Sequence, residues 1–370
     1  MDKFKYNWLF LIFFLTFCYI FSIFFIYSPK KLLAEGFYYT NNIDHLFTHC
    51  LIAYPEIAFA KDNKMSKHYA EDCITSKEFI LILDQLYKKN YALININDCF
   101  DINENGVAIK RKIKMPIGKK PLIFSFDDVN YDQKKKSLGM IDKIILDKNG
   151  NLASYTKINN VIDIQYDNEF IPILENFIKI HPDFSINGAK GTINLTGYDG
   201  ILGYRTSHTN IVNRKEEIIE AKKIVDKLKN LGWNFASHSY GHYHMKNISD
   251  IKFKKEIDLW QEEVASIVGN SRIYVYPYGE WEVVKDNKIC TKHQMLIDAG
   301  FKLFCGVGMK TFYSYLPNTN NEVLFMDRKC VDGKTITSNN KNLQMFFNPL
   351  NIIDTKSRSL LNESIIIAKE

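Results

Sequence analysis

Much of what this 370-residue chain does not contain narrows its class. No two of its seven cysteines form a C-x-x-C pair, which argues against a structural zinc cluster of thiolates. Outside the N-terminal run they lie scattered, at Cys50, Cys73, Cys99, Cys290, Cys305 and Cys330. These are not the spacings of a small disulfide scaffold, and a chain this long does not need staples, so disulfides and buried free thiols remain equal alternatives. There is no block of like charge. The net charge of +6 is spread along the chain, which excludes a nucleic-acid arm and leaves at most a weak attraction to anionic surfaces. Internal repeats and low-complexity linkers are also missing. With 46% hydrophobic and 24% charged residues, the composition is that of a globular protein. The length allows one large domain plus a tether, or two modest domains.

One long hydrophobic run is present. Residues 8–27, WLFLIFFLTFCYIFSIFFIY, carry no charge, and a bilayer core of ~30 Å needs ~20 apolar helical residues. The run is long for a secretory signal, and no A-x-A cleavage site follows it closely. It reads as an uncleaved transmembrane signal anchor after a short cytoplasmic tail, 1–7. Lys3 and Lys5 before it nearly balance Lys30 and Lys31 after it, so the positive-inside rule sets orientation only weakly. A single anchor with all else downstream implies that the bulk of the chain is extracytoplasmic, on a cell membrane crossed once.

Downstream, 29–70 reads as mixed and loop-rich. Thr75 and Glu78 form a capping box before the helix EFILILDQLYKK. YALININ reads as a strand, PLIFSF as another that stops at Asp127-Asp128, and IDKIILDKNGNLASYT as a hairpin turning at Asn149-Gly150. Residues 168–180 are an expected helix. GAKGTINLTG is an expected strand, and Asn213 with Glu216 is an expected second capping pair ahead of RKEEIIEAKKIVDKLKNLG. WNFAS, RIYVYPYG and FKLFCGVG are further strands, with helices between them. Strands alternating with helices predict a parallel α/β architecture.

Three polar clusters follow apolar strands: Asp127-Asp128, His238-Ser-Tyr-Gly-His242, and Pro277-Tyr278-Gly279. In (β/α) barrels the C-terminal strand edge is where active sites are built. Two histidines four apart suit a transition metal, and a carboxylate such as Asp128 would complete the set and leave a position for water. Of two adjacent carboxylates, one can bind metal while the other orients and deprotonates a water. A backbone N–H at Tyr278, exposed by the break at Pro277, is a candidate oxyanion donor. His45 and His49 repeat the four-residue spacing; His49 is expected to line a pocket and His45 to lie at the surface. His244 is expected to be a surface or supporting residue.

FSFDD resembles the first motif of the polysaccharide deacetylases, T-F-D-D-G; HSYGH resembles the second, H-S/T-x-x-H; and YPYG resembles the core of the third, R-x-P-Y-G. The strand GAKGTINLTG and the approach KLKNLGWNFASHS are similar too, in order and spacing, over roughly residues 115–310. The chain is most similar to a Firmicutes branch with FSFDDVNY and an upstream H-x-L-I-A-Y-P segment. This resemblance implies a distorted (β/α)7 barrel of the NodB type at 115–350, an extension at 28–114 packed on it, and a C-terminal tail at 351–370. It implies a divalent metal, usually Zn2+, with Co2+, Ni2+, Fe2+ and Mn2+ as alternatives. It implies Asp128, His238 and His242 as ligands, Asp127 as general base, and Tyr278 as oxyanion donor and sugar-site wall. The implied partner is a polysaccharide or peptidoglycan, with N-acetyl groups removed by metal-activated water.

Three departures stand out. Val129 replaces the glycine of motif one, Val275 stands where motif three has an arginine that holds the base, and no Leu-x-His follows His293 to supply the acid. Arg205 and Arg328 are the candidates to replace the arginine. Two rival readings remain: another metal-dependent amidohydrolase or esterase, and a non-catalytic wall-sugar-binding module.

Overall fold

The computed structural model describes residues 36–285, 288–308, 313–316 and 322–359. The expected anchor and the tail before it lie outside the described residues. Among those described, no helix is long and apolar enough to cross a membrane.

Seven parallel strands close into a barrel. In chain order they are β1 (Asp44–His49), β2 (Lys120–Asp127), β3 (Thr192–Leu195), β4 (Asn234–Ser237), β5 (Ile273–Val275), β6 (Leu303–Val307) and β7 (Leu324–Cys330). The ring runs β2–β3–β4–β5–β6–β7–β1 and back to β2. Closure is irregular. One edge of β2 is shared: its start pairs with the strand Tyr91–Leu93 and its end with β3, while β4 and β5 meet at the single pair Ser237↔Tyr274.

Side chains alternate across a strand, and the register makes that alternation a map of the interior. His45, Phe47 and His49 of β1 stand opposite Ile123, Ser125 and Asp127 of β2. The inward column is apolar low in the barrel, where Ile43, Ile123, Ala236, Ile273, Leu303 and Leu324 form one cluster. Higher up it turns polar, with Ser125, Asp127, Asn194 and Arg328 all buried. The outward column, including Leu122, Phe124 and Phe126, packs under the helices.

The helices follow the sequence cues unevenly. α1 (Ser66–Asp72) is short. α2 (Ser76–Lys88) opens on the expected capping box: Glu78 N–H donates to Thr75 Oγ1 at 3.2 Å and Thr75 N–H to Glu78 Oε2 at 2.8 Å. α3 (Phe170–Ile180) buries Phe170, Ile171 and Leu174. α4 (Arg214–Asn230) lacks the expected cap, because the Asn213 side chain is turned to Asn210 and Glu217. α5 (Asp250–Leu259) continues into a π-helical stretch, Trp260–Ala265. α6 (Thr291–Asp298) precedes β6. The expected hairpin forms from Lys143–Leu146 and Leu152–Ile158, and a third strand, Val161–Gln165, extends it.

Three expectations need correction. YALININ is a strand only over Tyr91–Leu93, because the Asn95 side chain caps a 3-10 turn over Ile96–Cys99. The segment 28–114 is not merely an extension packed on the barrel, since it supplies β1, a full barrel strand. Nor is 351–370 a free tail throughout. α7 (Thr355–Arg358) is anchored by Arg358, whose guanidinium donates to both oxygens of the buried Glu78 at 2.6 and 2.8 Å. Replacing Arg358 with Ala strands that carboxylate without its counter-charge. The expected loss is about 3–5 kcal/mol of unfolding free energy, read by urea titration; a loss under 1 kcal/mol would show the pair to be dispensable.

Candidate active site

The upper mouth of the barrel opens into a cavity of about 530 Å³ lined by His49, Asp127, Asp128, His238, His242 and Tyr278, among others. These six side chains arrive by four strand ends. Asp127 is the last residue of β2 and His49 the last of β1, opposite it in register. His238 follows β4, and Tyr278 follows the break at Pro277 after β5.

Backbone strain concentrates here. Asp128, Ser239, His242 and Tyr278 all have positive φ, at 58°, 56°, 52° and 58°. Such conformations cost of order 1–3 kcal/mol each and cluster where surrounding structure enforces them for function.

The structure brings Asp128, His238 and His242 together, with one ligand atom from each within 4.8 Å of the others. Asp128 Oδ1 lies 4.0 Å from His238 Nε2 and 3.7 Å from His242 Nε2. Metal bonds of ~2.0–2.2 Å in a tetrahedral set place ligand atoms roughly 3.3–3.6 Å apart, so a small contraction suffices. Two further observations fit a cation. Asp128 Oδ1 is buried without a hydrogen-bond partner. His238 Nδ1–H donates to the Val275 carbonyl at 2.9 Å, which fixes the tautomer and leaves the Nε2 lone pair facing the cavity. Burial, with the His238 ring nearby, lowers the His242 pKa to about 4 against the opposing pull of Asp128. That imidazole is therefore neutral and able to ligate at pH 7.

Asp127 has a different environment. It is buried, and Asn194 Nδ2–H donates to its Oδ1 at 2.6 Å. Arg328, only 1% exposed, clamps both oxygens, Nη1 to Oδ1 at 2.9 Å and Nη2 to Oδ2 at 3.1 Å. Burial alone would raise the Asp127 pKa, but Arg328 and His238 outweigh it and hold the carboxyl far below the usual range. Its Oδ2 is 3.6 Å from His238 Nε2. Arg328 lies over the Phe47 ring at 4.0 Å and also donates to the Gly306 carbonyl.

Of the two arginines expected to replace the motif-three arginine, the structure selects Arg328 and corrects Arg205. Arg205 pairs with Asp199 at 3.1 Å and donates to the Asp199 and Tyr131 carbonyls, and it does not line the cavity. His45 is corrected as well. It is not a surface residue but a fully buried one, bonded through Nε2 to Ser125 Oγ at 2.8 Å, because its register turns it inward. His49 does line the cavity; its Nδ1–H donates to the Asp72 carbonyl at 3.1 Å, and Nε2 has no hydrogen bond among the described residues. Tyr278, 54% exposed, meets the His242 ring edge-on at 4.5 Å and stacks on His244 at 3.8 Å. Gly279 is required beside it, since a Cβ there would come within 2.7 Å of Val307.

Residues 202–294 match the model of the polysaccharide deacetylase family. Over that segment the chain is similar to this family. The match takes in His238, His242 and Tyr278, while Asp127 and Asp128 precede it. No curated protein matches the chain. Among solved structures it is similar to the Streptococcus pyogenes deacetylase PplD in complex with acetate, at 13% identity and a TM-score of 0.42, covering 80% of this chain and 95% of that one. It is also similar to BC0361, a polysaccharide deacetylase from Bacillus cereus, at 12% identity and a TM-score of 0.41, covering 80% and 68%.

Sequence reasoning missed Asn194. It sits in the strand GAKGTINLTG, and a polar residue at an inward position of an apolar strand is the signal that would have found it. The Asp127–Arg328 pair sets a pH limit. Exchanging Arg328 for Met removes the main cation keeping Asp127 ionised, so its pKa rises. The acidic limb of kcat/KM for acetate release should move to higher pH by about 1–3 units, the span an adjacent opposite charge commands. An unmoved limb would mean that Asp127 does not titrate in that step.

Proposed function

We propose that the protein removes N-acetyl groups from N-acetylglucosamine-type sugars of a polysaccharide or peptidoglycan, with Asp128, His238 and His242 holding a divalent ion. The observation that carries this reading is the division of the aspartates: Asp128 faces the His238 and His242 rings with an unpartnered oxygen, and Asp127 is clamped by Arg328 beside them. Two imidazoles and one carboxylate favour Zn2+, and Co2+, Ni2+, Fe2+ or Mn2+ suit the same donors. When bound, the ion supplies Lewis acidity to the acyl carbonyl and to water.

The chain's own residues do the rest. Asp127, ionised at neutral pH, accepts the proton of the attacking water. The Tyr278 N–H faces the oxygen that gains charge, and the ring walls the sugar. His49 is suited to return a proton to the leaving amine. Its Nδ1–H is tied to a backbone carbonyl, so in the imidazolium form Nε2–H is the proton available to the cavity. That would stand in for the missing Leu-x-His histidine. The same chemistry could act on another amide or an O-acetyl ester. The non-catalytic alternative is disfavoured, because a binding module needs neither a clamped base nor an acid.

We further propose that 8–27 tethers the protein to the cell membrane in a single pass, with a short tail at 1–7 inside and the barrel outside, where wall polymers lie. Protease added to intact protoplasts should digest the barrel; a protected barrel would reverse the orientation.

Separation of roles is testable in three purified variants. Asp127→Asn should keep its metal and lose activity by a factor of ~10²–10⁴, the usual range for a general base. Asp128→Asn should lose metal and activity together. His49→Gln should resemble Asp127→Asn in metal content and also slow acetate release from chitin oligomers. Metal analysis beside rates decides; metal lost from Asp127→Asn and retained by Asp128→Asn would reverse the assignment.

A further inference from the structure

The two histidines of the site are not held alike. The His238 ring is fixed by its bond to the Val275 carbonyl. The His242 ring makes no hydrogen bond among the described residues; only its backbone N–H is tied, to Ser239 Oγ at 3.0 Å. Its direction therefore depends on the loop 238–242, and that loop has two strained residues, Ser239 and His242, both at positive φ.

One continuous helical stretch holds the loop down. From α5 and the π segment that extends it, Glu256 Oε2 accepts the Gly241 N–H, and Glu263 Oε2 accepts the Tyr240 hydroxyl at 2.6 Å. Between them Trp260 Nε1–H donates to the Leu195 carbonyl at the end of β3, at 2.9 Å. Both carboxylates therefore reach the same loop. Both are buried. Glu263 is itself braced by the His208 N–H at 3.1 Å, His208 Nδ1 at 2.9 Å and Arg214 at 3.5 Å. The fit at Gly241 is close: a Cβ there would stand 2.9 Å from Glu256 Oε2. None of Tyr240, Gly241, Glu256 or Glu263 lines the cavity.

We propose that Glu256 and Glu263 are positioning residues that aim His242 at the metal position by clamping Gly241 and Tyr240. Single-turn π segments recur at functional sites, and here the segment carries the second carboxylate of the clamp. The inference rests on the metal-site reading above and adds the residues through which that site gets its geometry.

The test uses the purified full chain, with Zn2+ affinity measured by competition against a chromophoric chelator, the visible spectrum of the Co2+ form, and the Tm of the metal-free protein. Glu256→Ala should weaken Zn2+ binding by ~10–100-fold, as loss of a residue supporting a ligand does, and should alter the Co2+ bands. Glu256→Gln keeps a neutral acceptor for the Gly241 N–H and should restore most of the affinity. Tyr240→Phe removes only the hydroxyl that Glu263 holds. It should weaken binding in the same direction with little change in Tm, and it decides the matter if Glu256→Ala does not fold. Folded Glu256→Ala and Tyr240→Phe proteins with wild-type affinity and spectrum would overturn the clamp alone. Wild-type protein that takes up no metal would overturn the metal site and the clamp with it.

Discussion

The buried pair of Asp127 and Arg328 is the constraint on which the upper half of the barrel depends. Two full charges lie buried inside the strand ring. Removing either would leave the other uncompensated in a medium where an unpaired ion costs several kcal/mol. The pair is satisfied on every side the structure allows. Arg328 spends its remaining donors on Gly306 and Ser125 and its face on Phe47, and Asp127 accepts a third bond from Asn194. A carboxyl held below its unfolded pKa contributes stability that is present above about pH 4 and withdrawn as pH falls through its folded value. One interaction therefore ties β2 to β7 and keeps Asp127 ionised beside the histidines.

How legible this was in the sequence depended on whether the information was local. The strand-end clusters were readable because each combines an apolar run with an abrupt polar stop, and a capping box such as Thr75–Glu78 lies within four residues. β1 was not readable. Its sequence, DHLFTH, alternates so that inward positions carry His45, Phe47 and His49, and a polar inward column defeats the rule that hydrophobic residues mark the buried face. The choice between Arg205 and Arg328 was equally closed to inspection. Both follow strands or turns, and only the register that sets Arg328 on the inward column of β7 separates them.

Strain forms a second pattern. The residues at positive φ in the site lie on three different strand ends: Asp128 after β2, Ser239 and His242 after β4, and Tyr278 after β5. Each sits where an extended strand gives way to a loop. Local hydrogen bonds alone do not hold such turns. Helices behind them must over-determine the backbone, and for the histidine loop α5 and its π extension do so.

Two of the three departures from the motifs read in the sequence then have one explanation. Inside a closed ring of strands, what a catalytic group needs is a height and a direction, and neighbouring strands offer the same height. An arginine is absent at Val275 on β5, where the side chain joins the apolar cluster, and a guanidinium reaches the base from β7 instead. A histidine is absent late in the chain, and another stands at the end of β1, beside Asp127 in register. Sequence motifs record which strand supplies a group, whereas chemistry depends on where the group ends up. A chain can therefore lose two motif residues and still present a clamped carboxylate, a pair of imidazoles and an open ring nitrogen around one cavity.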